Sequence, residues 1–212
     1  MEEMNEQLVD QLVDQVVSKI NQSRSFLVEA SGRHIHLSRQ HIDLLFGEGY
    51  QLTKIKELSQ PGQFVCQERL TILGAKSALH QVVVLGPERG ASQVEVSATD
   101  ALALGIKVPV RESGDIAGTP GVTLINGNRS VTLEQGLIVA KRHVHVAEED
   151  APKLGVKQGD LVKVRVGGNQ RSLIFDDVVI RVSDKFATSM HIDYDEANAC
   201  GFSKGMQGYI VK

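Results

Sequence analysis

The sequence predicts a mainly β protein with short α-helices, an internal duplication and an N-terminal amphipathic helix. Its apolar runs are short, rich in β-branched residues and separated by Gly, Pro and Asn-Gly, which is typical of strands joined by tight turns. The clearest predicted strands are 25–30, 79–85, 137–140, 161–166 and 178–182. A histidine motif occurs twice between these strands, and the first twenty residues have helical apolar spacing.

Composition limits the class of protein. A chain of 212 residues is long enough for one sizeable core or for two small, closely joined ones. The net charge of -3, with acidic and basic residues mixed, argues against nucleic acid as a partner. Two cysteines are too few for a disulfide framework, and no apolar run reaches the roughly 18 residues of a membrane span. We therefore expect a protein of a reducing, cytoplasmic compartment without a membrane partner.

Residues 1–20 predict an amphipathic helix, and residues 21–25 a polar linker. The apolar stripe consists of Met4, Leu8, Val9, Leu12, Val13, Val16, Val17 and Ile20, and the opposite face is acidic. A secretory signal would need a basic start and a continuous apolar middle, and a membrane-surface helix would carry Lys or Arg on its polar face. Two interpretations remain open at this point: the helix docks on a partner, or it packs on its own core or on a second copy.

The segment 32–38 corresponds to the segment 141–147, and a closer comparison finds the same unit four times. Each unit is a short strand, a short helix and a glycine where the helix ends: Gly47, Gly105, Gly155 and Gly201. Ser97 with Asp100, and Asp193 with Glu196, have the spacing of a capping box at the start of two of these helices. The chain therefore contains two related halves.

A possible metal ligand lies at nearly the same place in every unit. Alternate residues of a strand point to one face, so His34 and His36 converge, as do His143 and His145. The neighbouring units supply a third ligand to each pair, which predicts two sites: His34, His36 and Glu95, and His143, His145 and His191. Zinc suits imidazole and carboxylate ligands, but cobalt, nickel and iron suit them too.

One such histidine pair alone would be weak evidence for a metal, and its equivalent duplication makes the prediction much stronger. His41 and His80 lie outside the pattern and are interpreted as ordinary surface or helix residues. Cys66 and Cys200 lack the spacing of a metal or redox motif and are interpreted as structural.

These residues resemble a known family. Segments 31–38, 85–97, 140–146 and 190–198 look like the PduL-type phosphotransacylases, also called phosphate propanoyltransferases. The resemblance extends from about Phe26 to Gly201 and implies two similar β-barrels that share a two-metal site. It implies a first barrel of residues 33–140 and a second of residues 26–32 and 141–212.

The resemblance also implies the reaction: acyl-CoA and inorganic phosphate exchange with acyl phosphate and CoA, by direct transfer. The ion at the Glu95 set would bind the CoA sulfur, and the ion at the three histidines would hold phosphate. Arg89 would bind phosphate and the developing oxyanion; on its own it would be interpreted as a surface arginine. Ser31, Lys56 and Asn198 would contact CoA, and the turn at 60–64 either shapes the pocket or only reverses the chain.

Family members of bacterial microcompartments have a short amphipathic extension that residues 1–20 resemble. The resemblance therefore implies that this segment directs the enzyme to shell or core proteins, and that the chain lies inside a microcompartment in the bacterial cytoplasm. We also expect a homo-oligomer, on the base rate of such assemblies alone.

Two rival functions remain open. A metal-dependent hydrolase of thioesters or phosphate esters could use the same ligands and arginine. A non-catalytic shell or metal-storage protein would need closed coordination, whereas each predicted site has three ligands. The length of the acyl group is left open, because one methylene changes discrimination by only about 1–3 kcal/mol.

Overall fold

The computed structural model describes residues 24–167 and 170–211, together with residues 9, 11–13, 15, 16 and 19. Strands predominate in this part of the chain, and its helices are short. The prediction of a mainly β fold with short helices is confirmed. No helix within the described residues is long and apolar enough to cross a membrane.

The strands in chain order are β1 Phe26–Ala30, β2 His34–His36, β3 Lys54–Glu57, β4 Phe64–Leu73, β5 Ala78–Gly86, β6 Gln93–Glu95, β7 Val110–Arg111, β8 Val122–Asn126, β9 Arg129–Leu133, β10 Leu137–Ala140, β11 His143–Ala147, β12 Leu161–Val166, β13 Leu173–Ser183, β14 Ser189–Ile192 and β15 Gln207–Val211. Four helices beyond the N-terminal segment are α1 Arg39–Phe46, α2 Ala98–Leu104, α3 Ala151–Leu154 and α4 Tyr194–Cys200.

Six strands form a closed barrel in the order β1, β14, β11, β13, β12 and β15. The early strand β1 closes it, because it pairs parallel with β14 and antiparallel with β15. The barrel is filled by apolar side chains from every wall, among them Phe26, Val144, Val164, Ile180 and Met190. Burial of these side chains is what stabilises the barrel.

The other nine strands form one curled sheet, a half-barrel, in the order β7, β10, β6, β2, β5, β4, β8 and β9, with β3 paired to β4. Its concave side buries a second core that includes Ile35, Leu70, Ile72, Val84 and Leu124. The predicted domain boundaries and the internal duplication itself stay predictions.

Each of the four predicted units is a strand, a helix and a glycine. The capping boxes predicted at Ser97 and Asp193 are both present and start α2 and α4. Gly105 and Gly201 end those helices in the left-handed conformation, at φ of 72° and 62°, where other residues would be strained. The strand before each helix is therefore held in a defined position.

The structure describes only part of the predicted N-terminal helix. Residues 9, 11–13, 15, 16 and 19 are helical, and Val9, Leu12, Val13 and Val16 are each more than half exposed. The other residues of 1–23 lie outside the described residues, including most of the predicted linker.

Candidate active site

The first predicted ligand set lies on two neighbouring strands of the half-barrel. Strand β2 pairs antiparallel with β6, which puts His34 directly opposite Glu95. One ligand atom from each of His34, His36 and Glu95 lies within 4.8 Å of the other two, and all three side chains are buried. Among the described residues, this is the one cluster of His, Cys, Asp or Glu whose ligand atoms converge in this way.

The second predicted set has the same arrangement in the barrel. Strand β11 pairs antiparallel with β14, which puts His143 directly opposite His191. The ring centroids lie 4.6 Å apart for His143 and His145, 4.9 Å for His145 and His191, and 5.3 Å for His143 and His191. The three imidazoles therefore form one cluster.

A backbone carbonyl orients the first histidine of each set. His34 Nδ1 lies 2.9 Å from the Gly32 oxygen, and His143 Nδ1 lies 2.8 Å from the Lys141 oxygen. Because a carbonyl oxygen only accepts, Nδ1 carries a proton in both rings, and Nε2 is the ring nitrogen that can bind a metal ion. This is the outer contact that metal-bound histidines usually make.

The second histidine of each His-x-His pair has a buried ring nitrogen without a hydrogen-bond partner in the part of the chain that the structure describes. Within the described residues, His36 Nδ1 and both ring nitrogens of His145 are buried and make no hydrogen bond. Unpaired buried polar atoms are costly, so their presence at predicted ligands indicates a group that these nitrogens bind. The residues of both sets therefore fit a metal ion.

The histidine set is neutral at pH 7. Burial, helped by the neighbouring His143 and His191, lowers the pKa of His145 to about 2. Burial likewise lowers the pKa of His143 and of His191 to about 4. All three imidazoles therefore have lone pairs available, and none contributes a negative charge.

The first set contains a carboxylate and has a different charge. Burial opposes charge on both partners, but the contact between His34 Nε2 and Glu95 Oε2 at 3.4 Å outweighs it. The pKa of Glu95 consequently lies well below its usual range, and that of His34 is raised. Burial lowers the pKa of His36 well below its usual value, helped by the adjacent His34. Glu95 therefore supplies one negative charge.

The other carboxylate oxygen of Glu95 is fixed by two donors. Gln93 Nε2 donates to Glu95 Oε1 at 2.6 Å, and the Ser113 hydroxyl donates to the same oxygen at 2.8 Å. The Gly114 N–H in turn donates to Gln93 Oε1 at 2.8 Å. These bonds leave Glu95 Oε2 for His34 or for a metal ion.

Arg89 enters the same network from the far end of β5. Its backbone N–H donates to the Leu37 carbonyl at 2.8 Å, which ties it to the segment after His36. Its Nη1 donates to the Ser113 hydroxyl at 3.3 Å. Burial lowers the pKa of Arg89, Glu95 partly offsets that effect and Arg181 adds to it, but a guanidinium stays charged at pH 7. A half-buried cation therefore lies beside the first ligand set.

Both ligand sets and Arg89 line one cavity of about 990 Å³ between the half-barrel and the barrel. Of the residues predicted to contact CoA, Ser31 and Lys56 also line it. Asn198 is exposed on α4, one turn beyond the cavity residue Tyr194. A cavity of this size has room for a substrate of several hundred daltons.

The remaining histidines and cysteines have other surroundings. His41 Nδ1 lies 2.7 Å from the hydroxyl of Ser92, the residue before β6, whereas the exposed His80 lines the cavity. Both cysteines are buried, and burial raises the pKa of Cys66 to about 11 and also raises that of Cys200. Neither thiol is a ready nucleophile at pH 7.

Comparison with known proteins identifies the family. A family model described as phosphate propanoyltransferase matches residues 27–203. The chain belongs to the phosphate propanoyltransferase family. It is 65% identical over 191 residues to the phosphate propanoyltransferase of Enterococcus faecalis, covering 90% of each chain. It is 57% identical over 209 residues to that of Listeria monocytogenes, covering 99% of this chain and 98% of that one.

A more distant relative agrees. The phosphate propanoyltransferase of Thermotoga maritima is 50% identical over 193 residues, covering 91% of this chain and 92% of that one. The family resemblance predicted from the sequence is therefore confirmed. The chain is an enzyme of the phosphotransacylase class, a phosphate acyltransferase.

The structure brings two further side chains of this phosphotransacylase to the cavity that the sequence did not single out. Arg181 on β13 pairs at the backbone with His145. Gln60 reaches from the half-barrel to the barrel, where its Nε2 donates to the Ala187 carbonyl at 2.9 Å and to the Ser189 hydroxyl at 3.0 Å, beside His191. The 60–64 turn, left open by the sequence, therefore shapes the cavity through Gln60.

Proposed function

We propose that this enzyme transfers a short acyl group between CoA and inorganic phosphate, directly and at a two-metal site. The observation that carries the proposal is the single cavity on which both ligand sets and Arg89 converge. The phosphate oxygen would attack the thioester carbonyl, the new carbon–oxygen bond would form, and the carbon–sulfur bond would break to release CoA as a thiolate.

The ligands favour a division of labour between the two sets. When bound, divalent ions would supply Lewis-acid stabilisation of the CoA thiolate at the Glu95 set and of phosphate oxygens at the histidine set. Glu95 offsets part of the charge at its own set, whereas His143, His145 and His191 are neutral and leave more positive charge for an anion. Zinc is the first candidate because it accepts imidazole, carboxylate and thiolate together.

Arg89 is the residue we propose for stabilising charge on the reacting atoms. One of its five donors is used by Ser113, and the rest remain for an anion in the cavity. A planar guanidinium suits phosphate and the oxyanion that develops on the carbonyl. Direct transfer is preferred to an acyl-enzyme because burial raises the pKa of both thiols.

Ser31 and Lys56 are proposed to contact the pantetheine and phosphates of CoA, since both lie on the cavity wall. Asn198 is proposed for the same ligand on a less direct argument, because it lies one turn of α4 beyond the wall.

The test is release of free CoA thiol from acetyl-CoA and propanoyl-CoA, with and without phosphate. It compares the intact enzyme with a chelated sample and with Arg89→Ala, which we expect to lower kcat by about 100- to 1,000-fold. Arg165→Ala is the matched control, because that arginine is exposed on β12 away from the cavity.

Phosphate-dependent release that is lost with the chelator and with Arg89→Ala supports the proposal. Release without phosphate would indicate a thioesterase instead. No release from metal-loaded protein would favour a structural role for the metals.

We also propose that residues 1–20 direct the enzyme to shell or core proteins of a microcompartment in the bacterial cytoplasm, and that the enzyme is a homo-oligomer. The exposed apolar side chains of Val9, Leu12, Val13 and Val16 support a docking role for this segment. A chain lacking residues 1–20 should no longer co-purify with shells and should self-associate less in light scattering. Equal co-purification of the two forms would contradict the targeting role.

A further inference from the structure

Arg181 is a cation in the cavity with no anionic partner. Its guanidinium makes no ion pair with any carboxylate among the described residues, although Arg33, Arg39, Arg111 and Arg142 all do. The side chain is half-buried and lines the same cavity as the histidine set. An anion that binds beside a half-buried guanidinium without a counterion stabilises its charge.

Aromatic packing fixes the position of this guanidinium. Its central carbon lies 5.9 Å from the centroid of the Phe186 ring. The His145 ring stacks on the same Phe186 ring, with the two ring centroids 4.2 Å apart and an interplanar angle of 9°. Arg181 is therefore held beside a member of the histidine set, and a fixed guanidinium loses little entropy when it binds an anion.

A second arginine faces the same space. The positive charge of Arg181 is close enough to lower the pKa of Arg89, which lies beside the other ligand set. Two like charges on one cavity repel each other, and an anion between them relieves that repulsion. Arg33 also lines the cavity but pairs with Asp100, so within the described part of the chain the cavity has one guanidinium without a carboxylate partner beside each ligand set.

The equivalent position in the half-barrel carries no charge. His34 pairs in parallel with Val83, and His143 pairs in the same way with Val179. In the barrel, two residues beyond His143 and Val179, His145 pairs with Arg181. In the half-barrel, two residues beyond His34 and Val83, the register of β2 and β5 brings His36 beside Leu85. Arg181 thus lies beside the neutral histidine set, where an anionic substrate is attracted most strongly. The apolar side chain of Leu85 takes the equivalent place beside the Glu95 set.

We propose that Arg181 binds the inorganic phosphate substrate at the histidine side of the cavity, opposite Arg89. The inference rests on the proposed function and adds a second phosphate-binding residue to it. Its guanidinium donates two hydrogen bonds to phosphate oxygens and leaves the acyl and pantetheine groups of the other substrate untouched. The effect of its removal therefore falls on phosphate and not on acyl-CoA.

The test compares Arg181→Leu, which copies the residue at the equivalent position, with Arg181→Lys. Arg165→Leu on the exposed face of β12 is the control. We expect Arg181→Leu to raise the KM for phosphate roughly 10- to 100-fold. Arg181→Lys should give a smaller increase, because it keeps the charge and loses the fork of donors. The KM for acyl-CoA and the metal content should stay within twofold of the unmodified enzyme.

Calorimetric titration of metal-loaded protein with inorganic phosphate gives a readout that does not depend on turnover. Weaker binding of phosphate by both Arg181 variants, with unchanged binding of CoA, supports the inference whichever acyl group the enzyme transfers. An unchanged affinity for phosphate, a weakened affinity for CoA, or a loss of metal in both variants would overturn it. If Arg181→Leu does not fold, Arg181→Lys alone decides between these outcomes.

Discussion

The half-barrel and the barrel hold their ligand residues in the same way but surround them with different charges. His34 faces Glu95 across one antiparallel ladder, and His143 faces His191 across the other. The Glu95 set is anionic and lies beside Leu85, whereas the histidine set is neutral and lies beside Arg181. The comparison teaches that one backbone arrangement can present two sites of different charge through a few side chains. Under the proposed function, one site would suit a thiolate and the other would suit phosphate.

The largest expected effect comes from removing the charge that distinguishes the two sets. Glu95→Gln keeps the shape of the side chain but not the carboxylate. Because it removes a proposed ligand, it should reduce activity by more than the roughly 10- to 100-fold that an outer contact costs. It should also remove one metal ion per chain in elemental analysis.

Glu68→Gln is the matched control for that variant. Glu68 is also buried in the half-barrel, but its Oε1 accepts hydrogen bonds from the Tyr50 hydroxyl and the Thr53 N–H, outside the cavity. Equal loss of metal from both variants would mean that general destabilisation, and not a ligand role of Glu95, explains the result.

A smaller effect is expected from substituting Gln60, whose side chain forms hydrogen bonds between the half-barrel and the barrel. Gln60→Leu removes the hydrogen bonds to Ala187 and Ser189 that hold the strand of His191. It should weaken metal binding at the histidine set by roughly 10-fold and leave the Glu95 set unchanged. Competition with a metal-binding dye measures both affinities. Gln63→Leu, on the same cavity wall, should change neither; an equal loss at both sets would contradict a contact specific to the barrel.

The smallest effect concerns the pH dependence of the metal-free protein. Burial lowers the pKa of His143 and His191 to about 4 in the folded chain, against roughly 6.5 when unfolded. The unfolded chain therefore binds more protons in this window, so the stabilisation is complete above about pH 6.5 and is lost as the pH falls towards 4. The raised pKa of His34 acts in the opposite direction and offsets part of the loss.

Thermal unfolding of chelated protein between pH 7 and pH 5 measures this effect. The melting temperature should fall by several degrees as the pH is lowered. A His143→Gln variant should show a shallower decline, because it has one buried imidazole fewer. A decline of the same steepness in both proteins would assign the pH dependence to other groups.

Local patterns made much of the fold predictable from the sequence. The strands β10 and β12 have the predicted bounds, and both capping boxes start the helices at which they were predicted. The alternation of strand side chains also predicted that His34 and His36 share a face, as the cavity shows. Short-range spacing and side-chain chemistry decide these features, so a single sequence contains them.

Contacts between distant segments were not predictable in the same way. Arg181 reaches its position because β11 and β13 pair in parallel, and Gln60 because a turn of one half packs on the other. Neither the strand pairing nor the packing of the turn produces a residue spacing that can be recognised in the sequence. Gln81 and Asp177 both adopt positive φ, at 57° and 53°, and each precedes the paired Val83 or Val179 by two residues. This shared irregularity supports the predicted duplication, and only the backbone reveals it.

The central claim is that each half of the enzyme holds one metal ion. Elemental analysis of the intact enzyme, Glu95→Gln and His143→Gln, each purified under identical conditions, tests it directly. The account predicts two ions per intact chain and one in each variant, with the Glu95→Gln and His143→Gln double variant metal-free. One ion per intact chain, or loss of both ions from either single variant, would contradict the assignment of one site to each half.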